Sequence, residues 1–412
     1  MFPVAVLAAV FLLTAVRQAR GFLFEIWQVM CAGAAAVLLS GDIGPGEALA
    51  AVDWDVMLFL LGMFAAGQTL ELSGWLAHAQ YEIFKRARTE EGLLLVLVFF
   101  MGLASALLMN DTLAIAGTPV ALLLARKHNI SPKALLLALA FSITVGSVMS
   151  PIGNPQNLLV AVKGGIAAPF LTFLKYLALP TLLSLGAVFL VLRFFYREEF
   201  RAVELKHSQE PVKDKALARL ARATVGVLAL AIGAKVLLVS LNPALDFRLT
   251  WIALAAAAPG LLLSRRRLEL LRGVDWSTLA FFAGMFVLMR AVWDAGFFQA
   301  LIASTGTDIT GLGPIMAVSV LLSQLISNVP LVALYLPVLQ HAGAGTPELM
   351  ALAAASTFAG NLFILGAASN VIVIQNAERR AGVTLTFLEF ARAGVPLTAI
   401  NAIIYWVFLR FT

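Results

Sequence analysis

Asn110, Asp111 and Thr112 interrupt an apolar stretch that runs from Gly92 to Ala125. A carboxylate inside such a stretch is expensive to place in lipid, so Asp111 is expected to face water, bind a cation or take up a proton. Asn110 and Thr112 add groups that both donate and accept hydrogen bonds. Three further polar interruptions share this character: Ser150-Pro151-Ile152-Gly153-Asn154-Pro155-Gln156-Asn157, Ser327-Asn328-Val329-Pro330, and Gly366-Ala367-Ala368-Ser369-Asn370. Proline and glycine stop helices, and irregular backbone at membrane depth survives only where it lines a cavity or is buried in protein. Such breaks expose unpaired N–H and C=O groups. The N–H ends favour electron-rich oxygens, and free carbonyls coordinate cations.

The candidate ligands of a solute or ion are therefore Asn110, Asp111 and Thr112; Ser150, Asn154, Gln156 and Asn157; Ser327 and Asn328; and Ser369 and Asn370, with Pro155, Pro330 and the glycines read as backbone formers. Asp111 is the proton-coupling candidate, or with Asn110 and Asn157 a ligand of Na⁺. Asparagine at a break also serves as a cap or turn residue, and the two roles can coexist. No Lys or Arg falls inside the four segments, which argues against a solute with two or three negative charges.

These segments need a membrane scaffold. Of 412 residues, 61% are hydrophobic and 13% charged, against about 25% charged in soluble domains. The lone Cys31 excludes a disulfide framework within the chain and a multi-cysteine metal site. His78, His128, His207 and His341 have no metal spacing, so no resident cofactor is expected. The net charge of +6 sits in short loops, where it sets topology rather than binding nucleic acid. With no charged region ahead of residues 2–16, the first span is expected to be retained.

Basic loops alternate with acidic ones if the chain is all-α, with about ten transmembrane helices and two re-entrant helical hairpins, 92–126 and 310–341. The second arm of the first hairpin has about 13 apolar residues, too few to cross about 30 Å of hydrocarbon. A turn at Asn110-Asp111 near the midplane is therefore expected. Segment 75–91 reads as a surface helix. Of the charges inside spans, Lys235, Glu25 and the Arg290–Asp294 pair are expected to snorkel or pair.

The halves resemble each other. Asp53-Trp54 and Gly62-Met63-Phe64 match Asp275-Trp276 and Gly284-Met285-Phe286 at an offset of 222. Asn110 matches Asn328 at 218, and Gly153 and Asn157 match Gly366 and Asn370 at 213. The halves begin on opposite sides, which is an inverted-topology repeat with a midplane site. The domain reading is a first repeat over 1–195, with scaffold helices in 1–70 and the hairpin and broken helix in 92–162. A cytoplasmic linker over 196–222 and a second repeat over 223–412 follow, the latter with its hairpin and broken helix in 310–376.

The Asn-Asp-Thr tip, Ser-Pro-Ile-Gly-Asn-Pro-Gln-Asn, Ser-Asn-Val-Pro and Gly-Ala-Ala-Ser-Asn-Val-Ile-Val resemble the ion transporter superfamily over nearly the whole chain. Within it the chain is most similar to arsenical pump membrane proteins and NhaD-type sodium/proton antiporters, which are related to divalent anion/sodium symporters. Those symporters carry Ser-Asn-Thr at both tips; here Asp111 has entered one tip and Val329 has replaced the other threonine. The resemblance implies substrate and cation positions at Asn110, Asp111, Thr112, Gly153, Asn154, Asn157, Ser327, Asn328, Gly366, Ser369 and Asn370, and an elevator-like movement of a transport domain against a scaffold that often dimerises. It also allows a soluble ATPase subunit to dock on loop 196–222. The function expected is proton-coupled efflux of arsenite or antimonite across a bacterial-type cytoplasmic (inner) membrane. The alternatives are sodium-coupled uptake of a small anion such as a carboxylate, and sodium/proton antiport. An intramembrane enzyme would need a second acid or a nucleophile–base pair at depth, and none is seen beside Asp111.

Overall fold

The computed structural model describes residues 1–20, 25–84, 87–128, 130–197, 214–242, 245–297, 300 and 309–412. These are α-helical, with no β-strand among the described residues. Among the described residues, six helices are long and apolar enough to cross a membrane, and four shorter apolar helices accompany them. His207 and most of the basic loop after residue 197 lie outside the described residues.

The first bundle comprises α1 (Phe2–Arg20), α2 (Ile26–Leu39), the short α3 (Pro45–Ala51) and α4 (Trp54–Ser73). The first half continues with α5 (Trp75–Phe84), α6 (Glu90–Leu108), α7 (Asn110–His128), α8 (Pro132–Ser147), α9 (Pro155–Lys163) and α10 (Pro169–Phe195). The second half supplies α11 (Lys215–Leu241), α12 (Leu249–Leu263), α13 (Arg267–Gly273) and α14 (Trp276–Asp294). It closes with α15 (Leu312–Ile326), α16 (Asn328–His341), α17 (Thr346–Phe358), α18 (Ala368–Ala381) and α19 (Phe387–Arg410).

Why the halves share motifs is visible in the packing. Asp53 caps α4 by accepting the Val56 N–H at 2.9 Å, and Asp275 caps α14 by accepting the Thr278 N–H at 3.0 Å. The tryptophans that follow, Trp54 and Trp276, are exposed, as suits indole rings at a membrane–water boundary. In each half the helix after the cap packs on a helix of the other half: α4 on α12, and α14 on α2. Gly62 lets α4 approach so closely that an added Cβ would lie 2.7 Å from the Ala253 carbonyl carbon. At Gly284 the nearest atom would be the Cys31 Cα, at 3.2 Å. Both residues of the first contact differ from those of the second by 222.

A second bundle holds the irregular segments. Helices α6 and α7 straddle α8; α7 also packs on α18, α16 on α9 and α17, and α19 on α10 and α17. The bundles pack on each other where α4 meets α7 and α9, α1 meets α15, and α14 meets α16. A Cβ on Gly67 of α4 would lie 2.9 Å from Thr112 Oγ1. At the other end, Lys163 of α9 pairs with Asp53 at 2.7 Å.

The expected pairings of membrane charges are present. Arg290 bonds Asp294 at 2.7 Å, Lys235 holds Asp246 and the Phe247 carbonyl, and Glu25 caps α2 while accepting the Trp27 indole N–H at 2.6 Å.

Two expectations need correction. The first hairpin turns at Met109, and Asn110, Asp111 and Thr112 form the first turn of α7. With Arg126, Lys127 and His128 in its last turn, this arm has 19 residues, about 28 Å. Apolar count therefore understates the arm, and its shortness is no argument for a midplane turn. The helix breaks also fall earlier than their polar motifs. They span 148–154, and 359–367 with two 3₁₀ turns. Gln156 and Asn157, like Ser369 and Asn370, sit in the first turn of the outgoing helix, because a capping side chain belongs to the helix it starts.

Candidate solute and ion site

Both hairpin tips turn on a non-glycine residue in the left-handed region: Met109 at φ 61° and Ser327 at φ 70°. The two stand 218 residues apart, the offset that relates Asn110 to Asn328. Such strain costs about 1–3 kcal/mol and persists only where surroundings over-determine it. At the first tip the determinant is visible. The Asn110 N–H donates to the Gly153 carbonyl at 2.9 Å, and Asn110 Oδ1 accepts the Asp111 N–H at 3.0 Å. Gly153 is required, since a Cβ there would lie 2.3 Å from the Ser147 carbonyl oxygen.

The first break is internally satisfied. Asn157 Nδ2 reaches the carbonyls of Ser147, Val148 and Ser150 at 3.0–3.1 Å. Asn154 caps α9 by accepting the Asn157 N–H at 2.9 Å, and its Nδ2 donates to Ser147 Oγ at 2.9 Å. Ser150 Oγ accepts the Ile152 N–H at 3.3 Å. Thr357, from the other half, completes the set. It donates to Asn157 Oδ1 at 3.1 Å and accepts from Asn154 and Gln156 at 3.3 Å. All these residues are buried. Of the predicted ligands here, Asn154 and Asn157 thus spend their amides on holding the backbone, while Gln156 bonds the Thr357 hydroxyl.

The second break is different. Asn370 Nδ2 donates to the Gly360 carbonyl at 2.7 Å, the counterpart of Asn157 on Ser147 at the offset of 213. Its Oδ1 has no partner among the described residues, nor have Asn328 Oδ1, Ser369 Oγ, Gln324 Oε1, Thr144 Oγ1 and both amide atoms of Asn361. Gln324 Nε2 donates to the Ala359 carbonyl at 2.9 Å, and its Oε1 would lie 2.7 Å from a Cβ on Gly366. Thr144 reaches across from α8, its Cγ2 3.4 Å from where a Gly360 Cβ would be. A buried amide or hydroxyl without a partner costs about 1–3 kcal/mol. Several together mark a place that takes up something able to donate and accept.

Gln324, Asn361, Thr144 and Thr357 were not singled out from the sequence. The signal was present for two of them, because Thr144 and Thr357 stand at the same offset of 213.

A cavity of 790 Å³ lies along α7 from Ile115 onward, one turn past Asp111 and Thr112, which do not line it. Ile115, Ala116 and Pro119 of α7 line one wall, Leu70 and Glu71 of α4 another, and Arg266 and Arg380 its mouth. Gly67, which Thr112 touches, is 13 residues beyond Trp54, about 20 Å along α4. The first tip therefore stands near the basic end of the bundle. At the mouth Arg266 bonds Asp214 at 3.2 Å and Glu269 at 2.6 Å. The Leu217 N–H, then Arg266, holds the Asp214 carboxyl below its ordinary value, and Arg266 does the same for Glu269. No group of three or more His, Cys, Asp or Glu is placed to hold a metal among the described residues.

An all-α, multi-pass chain with two tight hairpins and two broken helices meeting at buried polar groups defines a membrane transporter of the secondary type. Residues 8–355 match the family model described as citrate transporter, and the chain belongs to that family. It is 32% identical over 380 residues to an uncharacterized transporter of Mycobacterium tuberculosis, covering 87% of this chain and 86% of that one. It is 28% identical over 436 residues to the silicon efflux transporter of Oryza sativa subsp. japonica, covering 89% of each. The Escherichia coli inner membrane protein YbiR is 26% identical over 367 residues, covering 87% of this chain and 88% of that one. The fold is shared with the YdaH transporter of Alcanivorax borkumensis, at a TM-score of 0.59 and 17% identity, over 91% of this chain and 87% of that one.

Proposed function

We propose that the chain exports a small uncharged inorganic hydroxide, arsenite or antimonite foremost, in exchange for protons taken up by Asp111. The observation that carries this reading is the unpartnered set at the second break, Asn361, Ser369, Asn370, Gln324 and Thr144, with Asn328 Oδ1 also unpartnered at the second tip. These are neutral groups. An undissociated trihydroxide offers three O–H donors and three acceptor oxygens and needs no counter-charge. The likeness to a silicon efflux transporter supports it, because dissolved silicon is also a neutral hydroxide. Asp111 is the one carboxylate among the predicted ligands, in the first turn of α7. The second bundle would carry both tips along the first, in an elevator-like movement.

A second reading, sodium-coupled uptake of a small anion, is favoured by one feature. Helices α7, α9, α16 and α18 all begin at the irregular segments, and helix N-termini attract anions. Arsenite uptake into everted vesicles under an imposed proton gradient separates the two. Accumulation that collapses with a protonophore and in Asp111→Asn supports the first. Sodium-dependent citrate uptake without arsenite uptake would replace it.

A further inference from the structure

Helices α15 and α19 part along their outer faces to leave an apolar groove of 600 Å³. Met316, Val320 and Leu321 form one wall, Ala399, Ile403 and Trp406 the other, and Leu362 closes one end. Leu321 and Ile403 are 65% and 63% exposed, so the groove opens sideways, into the lipid of a membrane-crossing chain. Its side chains lose dispersion contacts unless something apolar fills it.

The dimensions select the filler. From Val395 to Trp406 the groove follows eleven residues of α19, about 16 Å. Half of a hydrocarbon core is about 15 Å, the reach of one leaflet's acyl chains. At the Trp406 end, where Gly313 of α15 approaches the indole, the Arg410 guanidinium lies over the Trp406 ring at 5.1 Å. Arg410 is exposed and ends the helix. A tryptophan and an arginine at one helix end mark the headgroup level, and a guanidinium fork matches phosphate.

We propose that this groove is the site of one anionic phospholipid, its phosphate on Arg410 and one acyl chain lying between α15 and α19 as far as Leu362. The chain end then touches both moving parts of the second half. Leu362 follows Asn361 within the second break, and α15 is the arm that leads to Ser327. The lipid becomes a packing element of the solute site.

The test is lipid retention by the full chain, read by native mass spectrometry after detergent exchange from phosphatidylglycerol or phosphatidylcholine bilayers. Wild type should retain one phosphatidylglycerol, and Arg410→Gln should weaken retention about fivefold, the effect of about 1 kcal/mol per basic residue at an anionic surface. Ala399→Trp, which fills the groove, should lose the lipid while Arg410 remains. Undiminished retention in Ala399→Trp overturns the groove assignment, and equal retention of the two lipids overturns the headgroup assignment. In wild type, with no folding question, a phosphatidylglycerol carrying a photoreactive group at its chain end should cross-link near Leu362 or on the facing turns of α15 and α19. Cross-links confined to other helices would refute the site.

Discussion

Asn157 and Asn370 occupy matching places in the two halves, yet their truncation should fail in different ways. Asn157 donates its two N–H groups to three carbonyls and accepts the Thr357 hydroxyl at Oδ1. Asn157→Ala leaves those carbonyls and the threonine hydroxyl buried without the amide. At about 1 kcal/mol for each net bond lost, and more for a group left unpaired, the cost is about 3–4 kcal/mol. Asn370→Ala removes one bond, to Gly360, and an oxygen that has no partner among the described residues. Its cost to stability is about 1 kcal/mol, and its main effect should fall on solute affinity. Thermal unfolding in detergent and initial uptake rates in vesicles, measured on the same preparations, separate the two. Asn157→Ala should unfold at clearly lower temperature. Asn370→Ala should unfold near wild type and show a raised KM. A larger stability loss in Asn370→Ala, or a stable Asn157→Ala with a pure transport defect, would refute the assignment of a structural first break and a ligand-binding second one.

Lys163→Met or Asp53→Asn, the latter keeping the cap, removes an ion pair that joins the two bundles. Lys163 is 46% exposed, so the shift should stay within about 1 kcal/mol. It should appear as changed thiol labelling of Thr112→Cys in a Cys31→Ala background; identical labelling would show that the pair does not bias the bundles. Gly62→Ala should cost about 1–3 kcal/mol through overpacking on the Ala253 backbone. Gly284→Ala, with more room, should cost less, and unfolding temperatures give the order. Asp214 and Glu269 titrate below their ordinary values of 3.8 and 4.5. Their bonds to Arg266 are therefore complete at pH 7 and are lost as pH falls through the lowered values. Arg266→Gln should lower the unfolding temperature at pH 7 and lose that difference in stronger acid; a difference that persists there would disconnect Arg266 from the two carboxylates.

How much could be read from residues alone depended on whether the signal was local. Asn110-Asp111 announces the first hairpin tip within one or two residues of Met109, Ser327-Asn328 announces the second, and apolar runs announce the spans, because each acts on its own backbone. The exact breaks were displaced because Asn157 and Asn370 grip carbonyls ten residues earlier, a reach that composition does not display. Thr357 escaped notice because a threonine in an apolar helix ordinarily bonds its own preceding turn, which this one also does. Its second role, at a break two hundred residues away, exists only after folding. Gln324 was missed for a related reason. It stands one turn ahead of the tip motif, inside what reads as an uninterrupted helix.

The exchange of helices between halves bears on how the chain is made. Gly62 waits for Ala253, and Cys31 waits for Gly284, so their contacts join residues 191 and 253 positions apart. At about 5–20 residues per second of synthesis, the N-terminal half spends tens of seconds in the bilayer before its partners emerge. During that interval the close-approach surfaces of α2 and α4 face lipid or an insertion factor. Premature release should therefore yield a half-chain that is inserted yet unpacked, and co-expressed halves should recover activity only if both are in the membrane together.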